Sequence, residues 1–274
     1  MKAEYLDLLG EEIFIRYRIK DGNNPPVLFI HGIGESGRCF FDAFDLTDKY
    51  NIVVPDLLGH GKSQKAAKNP DYSLSRQIKI IWGIIDHFGL KDIILVGHSF
   101  GGMLGSLICK EDKHEKIKKF LNVEGGISRD TTILSLRAVR VLEGFNHDME
   151  KFGYWLHEGE FKNLMLEDYE SASTIKYFDS VIECDPEAFA QTAVEICSRL
   201  EFEDKKGINE FSRAYGGIRI PKLYCVGTRP VMNSAKRLLI NNHMEYKEFN
   251  VASHWLMLDK REEFYTFLEG FIES

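Results

Sequence analysis

An α/β fold, with a mostly parallel central sheet, helices on both of its faces and a helical cap inserted before the penultimate strand, is the class this sequence predicts. Three observations predict it. Strand-length apolar runs alternate with helix-period segments along the chain, the order expected of a parallel sheet covered on both faces. Several of those runs are continuously apolar, as strands buried on both faces are. Near the middle, a β-branched run passes into a helical pattern across Gly97-His98-Ser99-Phe100-Gly101-Gly102, a turn built for a strand-to-helix junction.

Taken in order, Glu12 to Ile19 alternates with period 2, as a half-exposed edge strand does. Val27 to Ile30, Ile52 to Val54 and Ile93 to Val96 read as central strands. Lys119 to Val123 and Lys222 to Val226 add two more, and Tyr246 to Val251 another. Helix-spaced apolar positions occupy Ser36 to Tyr50, Ser73 to Phe88, Phe100 to Lys110 and Glu262 to Ile272, with Ser73 placed as an N-cap. Asp21 to Pro26 reads as a turn, and the mixed charges from Lys110 to Lys119 as a solvated helix end and loop.

Between Val123 and Lys222 lie almost a hundred residues with no strand pattern. Asp130 precedes a helix-spaced run from Ile133 to Leu142, and Asp185-Pro186 is an N-cap followed by proline at the first helical position. The expected organisation is therefore a core of residues 1–127 and 217–274 with a helical cap at 128–216. That insertion carries eighteen acids against ten bases, so the acidity of the protein concentrates in it.

The chain has 274 residues, 44% apolar and 28% charged, enough for one large domain with an insertion and unlike a disordered chain. A net charge of −7 argues against nucleic acid or an anionic membrane as the main partner. No stretch is long and apolar enough to span a bilayer, and Glu4 and Asp7 fall where a signal peptide needs an apolar core, so a cytoplasmic location is expected. The five cysteines are scattered, odd in number and without C-x-x-C spacing, which implies neither a disulfide framework nor a zinc site. A small-molecule substrate is the expected partner, and oligomeric state is left open.

Ser99 is the candidate nucleophile. A chain turning from strand to helix across one residue needs a tight turn, and Gly97 and Gly101 remove the side chains that would collide there. Serine at its own pKa is a poor nucleophile, so a base must lie within hydrogen-bond reach. His254 follows the strand Tyr246 to Val251 and precedes the terminal helix, which puts it at the carboxyl end of the sheet beside Ser99.

The ordered set His31-Gly32-x-Gly34, Pro55-Asp56-x-x-Gly59-His60-Gly61-x-Ser63, Gly97-His98-Ser99-Phe100-Gly101 and Ser253-His254-Trp255 resembles the α/β-hydrolase family over essentially the whole chain. The resemblance implies Ser99 as nucleophile, His254 as base, and an orienting acid, in the chain order serine, acid, histidine. It also implies an oxyanion hole made by the backbone N–H groups of Ile33 and Phe100, with Gly32 letting the first loop come close to the substrate. The acid departs from the commonest family pattern. No Asp or Glu occurs from Phe211 through Met244, so the usual position after the strand Lys222 to Val226 is empty. Some family members take their acid from the preceding strand, and Glu124 stands at that strand's end. Asn233 could orient the histidine but supplies no charge.

Asp56 and His60 read as residues that shape their turn, and His98 as packed beneath the elbow. Ser36 and Arg38 fit either a pocket entrance or a helix start, and Phe145, Trp155 and Tyr177 either a pocket roof or cap core. The expected function is a serine hydrolase that cleaves a small carboxylic ester through an acyl-enzyme, with no metal or organic cofactor. A carbon-carbon bond hydrolase or cofactor-free haloperoxidase uses the same residues, and a small-molecule receptor on the same scaffold is the alternative of a different class. Epoxide hydrolases and haloalkane dehalogenases attack with an aspartate, which serine at position 99 argues against.

Overall fold

The computed structural model describes residues 1–20, 25–46, 49–65, 70–168, 172–200, 208–228 and 233–274. Eight strands form one sheet: β1 (Lys2–Leu8), β2 (Glu11–Arg18), β3 (Pro26–Ile30), β4 (Asn51–Pro55), β5 (Ile93–His98), β6 (Ile117–Val123), β7 (Lys222–Gly227) and β8 (Tyr246–Phe249). Their spatial order is β1-β2-β4-β3-β5-β6-β7-β8. β2 pairs antiparallel with β1 and β4, and every other pairing is parallel. The central strands are those with continuous apolar runs: β3 and β5 are buried along their whole length.

β1 was absent from the sequence expectation because six of its seven residues face solvent wholly or partly and only Leu6 is buried, so it carries no burial signal. It is joined to β2 by Leu9 and Gly10 with φ of 61° and 81°. Positive φ at both loop positions is the hairpin turn whose twist matches the strands. The turn expected at Asp21 to Pro26 falls mostly on residues 21–24, outside the described residues.

The helices are α1 (Ala43–Leu46), α2 (Leu74–His87), α3 (Phe100–Glu111), α4 (Ile133–Gly144), α5 (Met149–His157), α6 (Glu160–Asp168), α7 (Ala172–Val181), α8 (Pro186–Leu200), α9 (Glu210–Gly217), α10 (Asn233–Asn241), α11 (Leu256–Asp259) and α12 (Arg261–Glu273). Ser73 caps α2 by accepting the Arg76 N–H. Asp185 accepts the Glu187 N–H at the start of α8 and the Tyr72 hydroxyl at 2.6 Å, tying the inserted segment to the loop before α2.

One expected helix, Ser36 to Tyr50, is broken into a 3-10 turn at Gly37–Phe40 and the single turn of α1. The cause is Asp56. Its buried carboxylate accepts the Gly37 N–H at 2.7 Å and pairs with Arg16 at 2.6 Å, which pins the chain against β4. A Cβ at Gly37 would lie 2.7 Å from a Val54 methyl.

α4 to α9 fill the connection from β6 to β7, and their interior is aromatic. Phe161 packs against Trp155, Phe178 and Phe189 with ring centroids 5.0 to 5.7 Å apart. α9 differs from the rest: it packs on α3, and its Tyr215 meets Phe120 of β6 and Tyr224 of β7. It is the crossover helix a parallel β6–β7 connection requires. The boundary expected at 217 therefore falls too late, since α9 lies against the sheet.

Candidate active site

Ser99 stands alone between β5 and α3, with φ 51° and ψ −116°. Positive φ on a residue with a Cβ is disfavoured, and the surroundings fix it. A Cβ at Gly97 would lie 2.3 Å from the Gly101 carbonyl oxygen, and one at Gly101 would lie 2.1 Å from that of Ile30. Only glycine fits either position. The Ser99 N–H donates to the Val123 carbonyl at 2.9 Å, so the elbow is tied to the neighbouring strand and the side chain is left to the carboxyl edge of the sheet.

His254 lies in the loop between β8 and α11. Asp259 holds that loop by accepting the Ser253 N–H at 2.6 Å. His254 Nδ1 is 3.6 Å from Glu124 Oε2, ion-pair range and longer than a hydrogen bond. Glu124 follows β6 at φ 53° and is 2% exposed. Its Oε1 accepts the Gly227 N–H at 2.5 Å and its own N–H donates to the Cys225 carbonyl at 2.9 Å. The carboxylate is thus anchored on β7 and turned toward the imidazole. Residues 229–232, where the commonest acid position falls, and the side chain of Asn233 lie outside what the structure describes.

Gly32 brings its loop against the nucleophile: a Cβ there would lie 3.0 Å from Ser99 Cβ. The Gly32 carbonyl accepts from His31 Nδ1–H at 2.8 Å and from the Glu35 N–H at 3.2 Å. In a trans peptide the next N–H points the opposite way, so the Ile33 N–H is directed away from those two donors. The Phe100 N–H, at the first residue of α3, has no intrahelical acceptor. Ile33 and Phe100 share a cavity of about 30 Å³ with Ser99 and His254, closed by Tyr177 and Met165 of the inserted helices. The Tyr177 hydroxyl donates to the Ile33 carbonyl at 3.0 Å. A second cavity of about 200 Å³ lies behind Tyr177 and Trp255, which line both.

Of the residues given the plainer expectation, Asp56 is the turn hub described above. His31 donates from Nδ1 and accepts the Leu57 N–H at Nε2, which fixes it as neutral, and burial lowers its pKa. His60 is buried in the turn it shapes, and burial, then the nearby His31, pushes it down to about 3. Ser36 is buried beside Ser180, while Arg38 pairs with Glu183 and lines the second cavity. Trp155 belongs to the aromatic interior of the insertion, Phe145 lines a groove away from Ser99, and Tyr177 alone of the three roofs the site.

Glu35 was missed. It is 2% exposed and accepts from the Gly32 N–H at 2.6 Å, Trp255 Nε1–H at 2.5 Å and His98 Nδ1–H at 2.9 Å. Burial alone would raise its carboxyl, but the His98 charge, its hydrogen bond and the Gly32 N–H outweigh this and hold it near about 2. His98 is wholly buried beneath the elbow, with its ring 4.7 Å from that of His254. An acid in the sequence Gly34-Glu35-Ser36-Gly37 has the composition of an exposed turn, and nothing local marks it as buried. Among the described residues no group of three or more His, Cys, Asp or Glu side chains is placed to hold a metal ion.

The nucleophile elbow, the parallel sheet and a histidine after its last strand together define an α/β hydrolase. The family model for the alpha/beta hydrolase fold matches residues 25–162, half of the chain, and the chain belongs to that family. An uncharacterized protein of Mycobacterium tuberculosis is 28% identical over 114 residues, 41% of this chain. This chain spans only 33% of that relative's length. A proline iminopeptidase of Saccharolobus solfataricus is 25% identical with 98% of this chain and 92% of its own length covered. Among solved structures, an esterase from Exiguobacterium antarcticum covers 100% of both chains with a TM-score of 0.73 at 16% identity, a likeness of fold.

Proposed function

We propose that this protein is a serine hydrolase that cleaves a small carboxylic ester through an acyl-enzyme, with Ser99 as nucleophile, His254 as base and Glu124 as orienting acid. The observation that carries the reading is one constellation: Ser99 on a strained elbow shares a cavity with His254, whose Nδ1 faces Glu124 Oε2 at 3.6 Å.

In the first step Ser99 Oγ attacks the ester carbonyl carbon and its proton passes to His254 Nε2. The carbonyl oxygen takes the electron pair and is stabilised by the N–H groups of Ile33 and Phe100, which cost no reorganisation because the backbone already holds them. Collapse of the intermediate breaks the ester bond, and the departing alkoxide takes the proton from His254. A water then attacks the acyl carbon, giving its proton to His254, which returns it to Ser99 Oγ as the acid is released. Glu124 stabilises the transient imidazolium; the 3.6 Å separation is expected to tighten when the ring is charged, since catalytic hydrogen bonds are often long without substrate.

α4 to α8 act in this reading as a cap that excludes water and limits substrate size. The small cavity and its apolar side chains, including Ile33, Met103 and Met165, favour short uncharged acyl groups. Five free thiols and the absence of a described helix long and apolar enough to cross a membrane support an intracellular enzyme acting on small molecules. A panel of p-nitrophenyl esters tests the proposal. Turnover that falls by roughly 10⁴-fold in Ser99→Ala supports it; tight ligand binding with no turnover by the wild type would favour a receptor instead.

A further inference from the structure

We infer that Glu35 and His98 form a charged pair that holds the oxyanion loop, the nucleophile elbow and the base loop in mutual register, which makes Glu35 a positioning residue for acyl transfer. The inference rests on the reading of Ser99, His254 and Ile33 above.

The argument begins with which groups Glu35 holds. Its three donors are the Gly32 N–H, His98 Nδ1–H and Trp255 Nε1–H. Gly32 immediately precedes Ile33, whose N–H is an oxyanion donor; His98 immediately precedes Ser99; Trp255 immediately follows His254. One buried carboxylate therefore gathers the chain neighbour of each reacting group, drawn from segments far apart in sequence.

His98 extends the brace. Its Nε2 lies 2.9 Å from the backbone carbonyl of His254, while its Nδ1 faces the Glu35 carboxylate. Both partners are acceptors, so both ring nitrogens must carry hydrogen, and only the imidazolium does. A neutral tautomer would set a nitrogen lone pair against an oxygen inside the protein. Burial opposes the charged ring, but the Glu35 charge and hydrogen bond, with the His254 carbonyl, carry its pKa upward. The other titratable groups facing Glu35 are His31, which is fixed as neutral, and the Cys39 thiol, which burial and Glu35 push up.

A buried ion pair is a poor source of stability, because removing two charges from water offsets most of their attraction. Its use lies in geometry. A misplacement of about 1 Å in a reacting group can cost about 10²-fold in rate, and this pair fixes three such groups at once.

Three variants and one spectrum test the pair. Glu35→Gln keeps the volume but turns one acceptor oxygen into a donor, which must oppose Trp255 Nε1–H or the Gly32 and His98 donors, and it removes the counter-charge of His98. Glu35→Asp keeps the charge and loses length. The expected result is a kcat on p-nitrophenyl acetate lower by about 10²-fold in Glu35→Gln, with KM within about threefold of wild type and partial recovery in Glu35→Asp. A role in packing alone would rank the isosteric Gln above Asp, and that order would overturn the inference, as would a wild-type kcat in Glu35→Gln. If the variants do not fold, ¹⁵N NMR of the wild-type ring decides: His98 should show two protonated nitrogens at pH 8, and one unprotonated nitrogen contradicts the pair. Ser99→Ala, measured beside them, separates the two failures. If it leaves ester turnover intact, the nucleophile reading is wrong; if it abolishes turnover while Glu35→Gln does not, only the brace is wrong.

Discussion

At the scale of residues, catalysis in this protein is a matter of three side chains held by backbone contacts. Glu124 shows how. Its backbone N–H is bonded to β7 and its Oε1 takes the Gly227 N–H, so the remaining oxygen has one orientation, toward His254. Glu124→Gln is expected to lower kcat by roughly 10³ to 10⁴-fold by analogy with removal of the orienting acid in other serine triads, with the circular dichroism spectrum unchanged. Near wild-type turnover would move the acid elsewhere. Ser99, His254 and Glu124 were legible in sequence because each sits at the end of a strand pattern. Glu35 was not, because nothing in its own segment reports that His98 and Trp255, 63 and 220 residues away, will cover it.

At the scale of elements, the inserted helices and the oxyanion loop are joined by the Tyr177 hydroxyl on the Ile33 carbonyl. Tyr177→Phe removes that hydrogen bond and little volume. A bond of this kind contributes about 1 kcal/mol, so the variant should lose about 2 to 4 °C in Tm and show a lower kcat on short esters. A rise in turnover of long acyl esters is also expected, since α7 is then less firmly seated over Ser99. Assays of acetyl, butyryl and octanoyl esters check both effects. The sequence marked the helical character of this insertion through periodicity. It did not mark that α9 returns to the sheet, because an amphipathic helix looks the same whichever surface it covers. The break in the expected helix from Ser36 to Tyr50 was hidden for a similar reason: Asp56, which accepts the Gly37 N–H, lies on another strand end.

At the scale of the whole molecule, buried ionisable groups predict a particular acid response. His60 is held down to about 3 by burial, so it stays neutral when folded and gains a proton when unfolded between pH 6.5 and about 3; its contribution to stability is present above pH 6.5 and lost as pH falls through that window. Glu35, held near about 2, contributes fully above about pH 4.5 and loses that contribution as pH falls toward 2. His98 is shifted upward and acts in the opposite sense, its contribution being complete below pH 6.5 and lost as pH rises through its folded pKa. Tm should therefore decline from pH 6.5 downward and more steeply below 4.5, and His60→Asn should flatten the first part of that decline. A Tm that is level from pH 6.5 to 4.5 in the wild type would contradict the assignment of His60 as a buried neutral ring.

The parallel order of the sheet was readable from continuous apolar runs, since only a strand covered on both faces can afford them. That order places the ends of β5, β6 and β8 side by side, and the proposed chemistry depends on what those ends carry. Labelling tests it most directly. Wild-type protein treated with p-nitrophenyl acetate or a fluorophosphonate, then digested and mapped by mass spectrometry, should carry the acyl or phosphonyl group on Ser99, and Ser99→Ala should carry none. A label on another residue, or none on the wild type, would contradict Ser99 as the nucleophile.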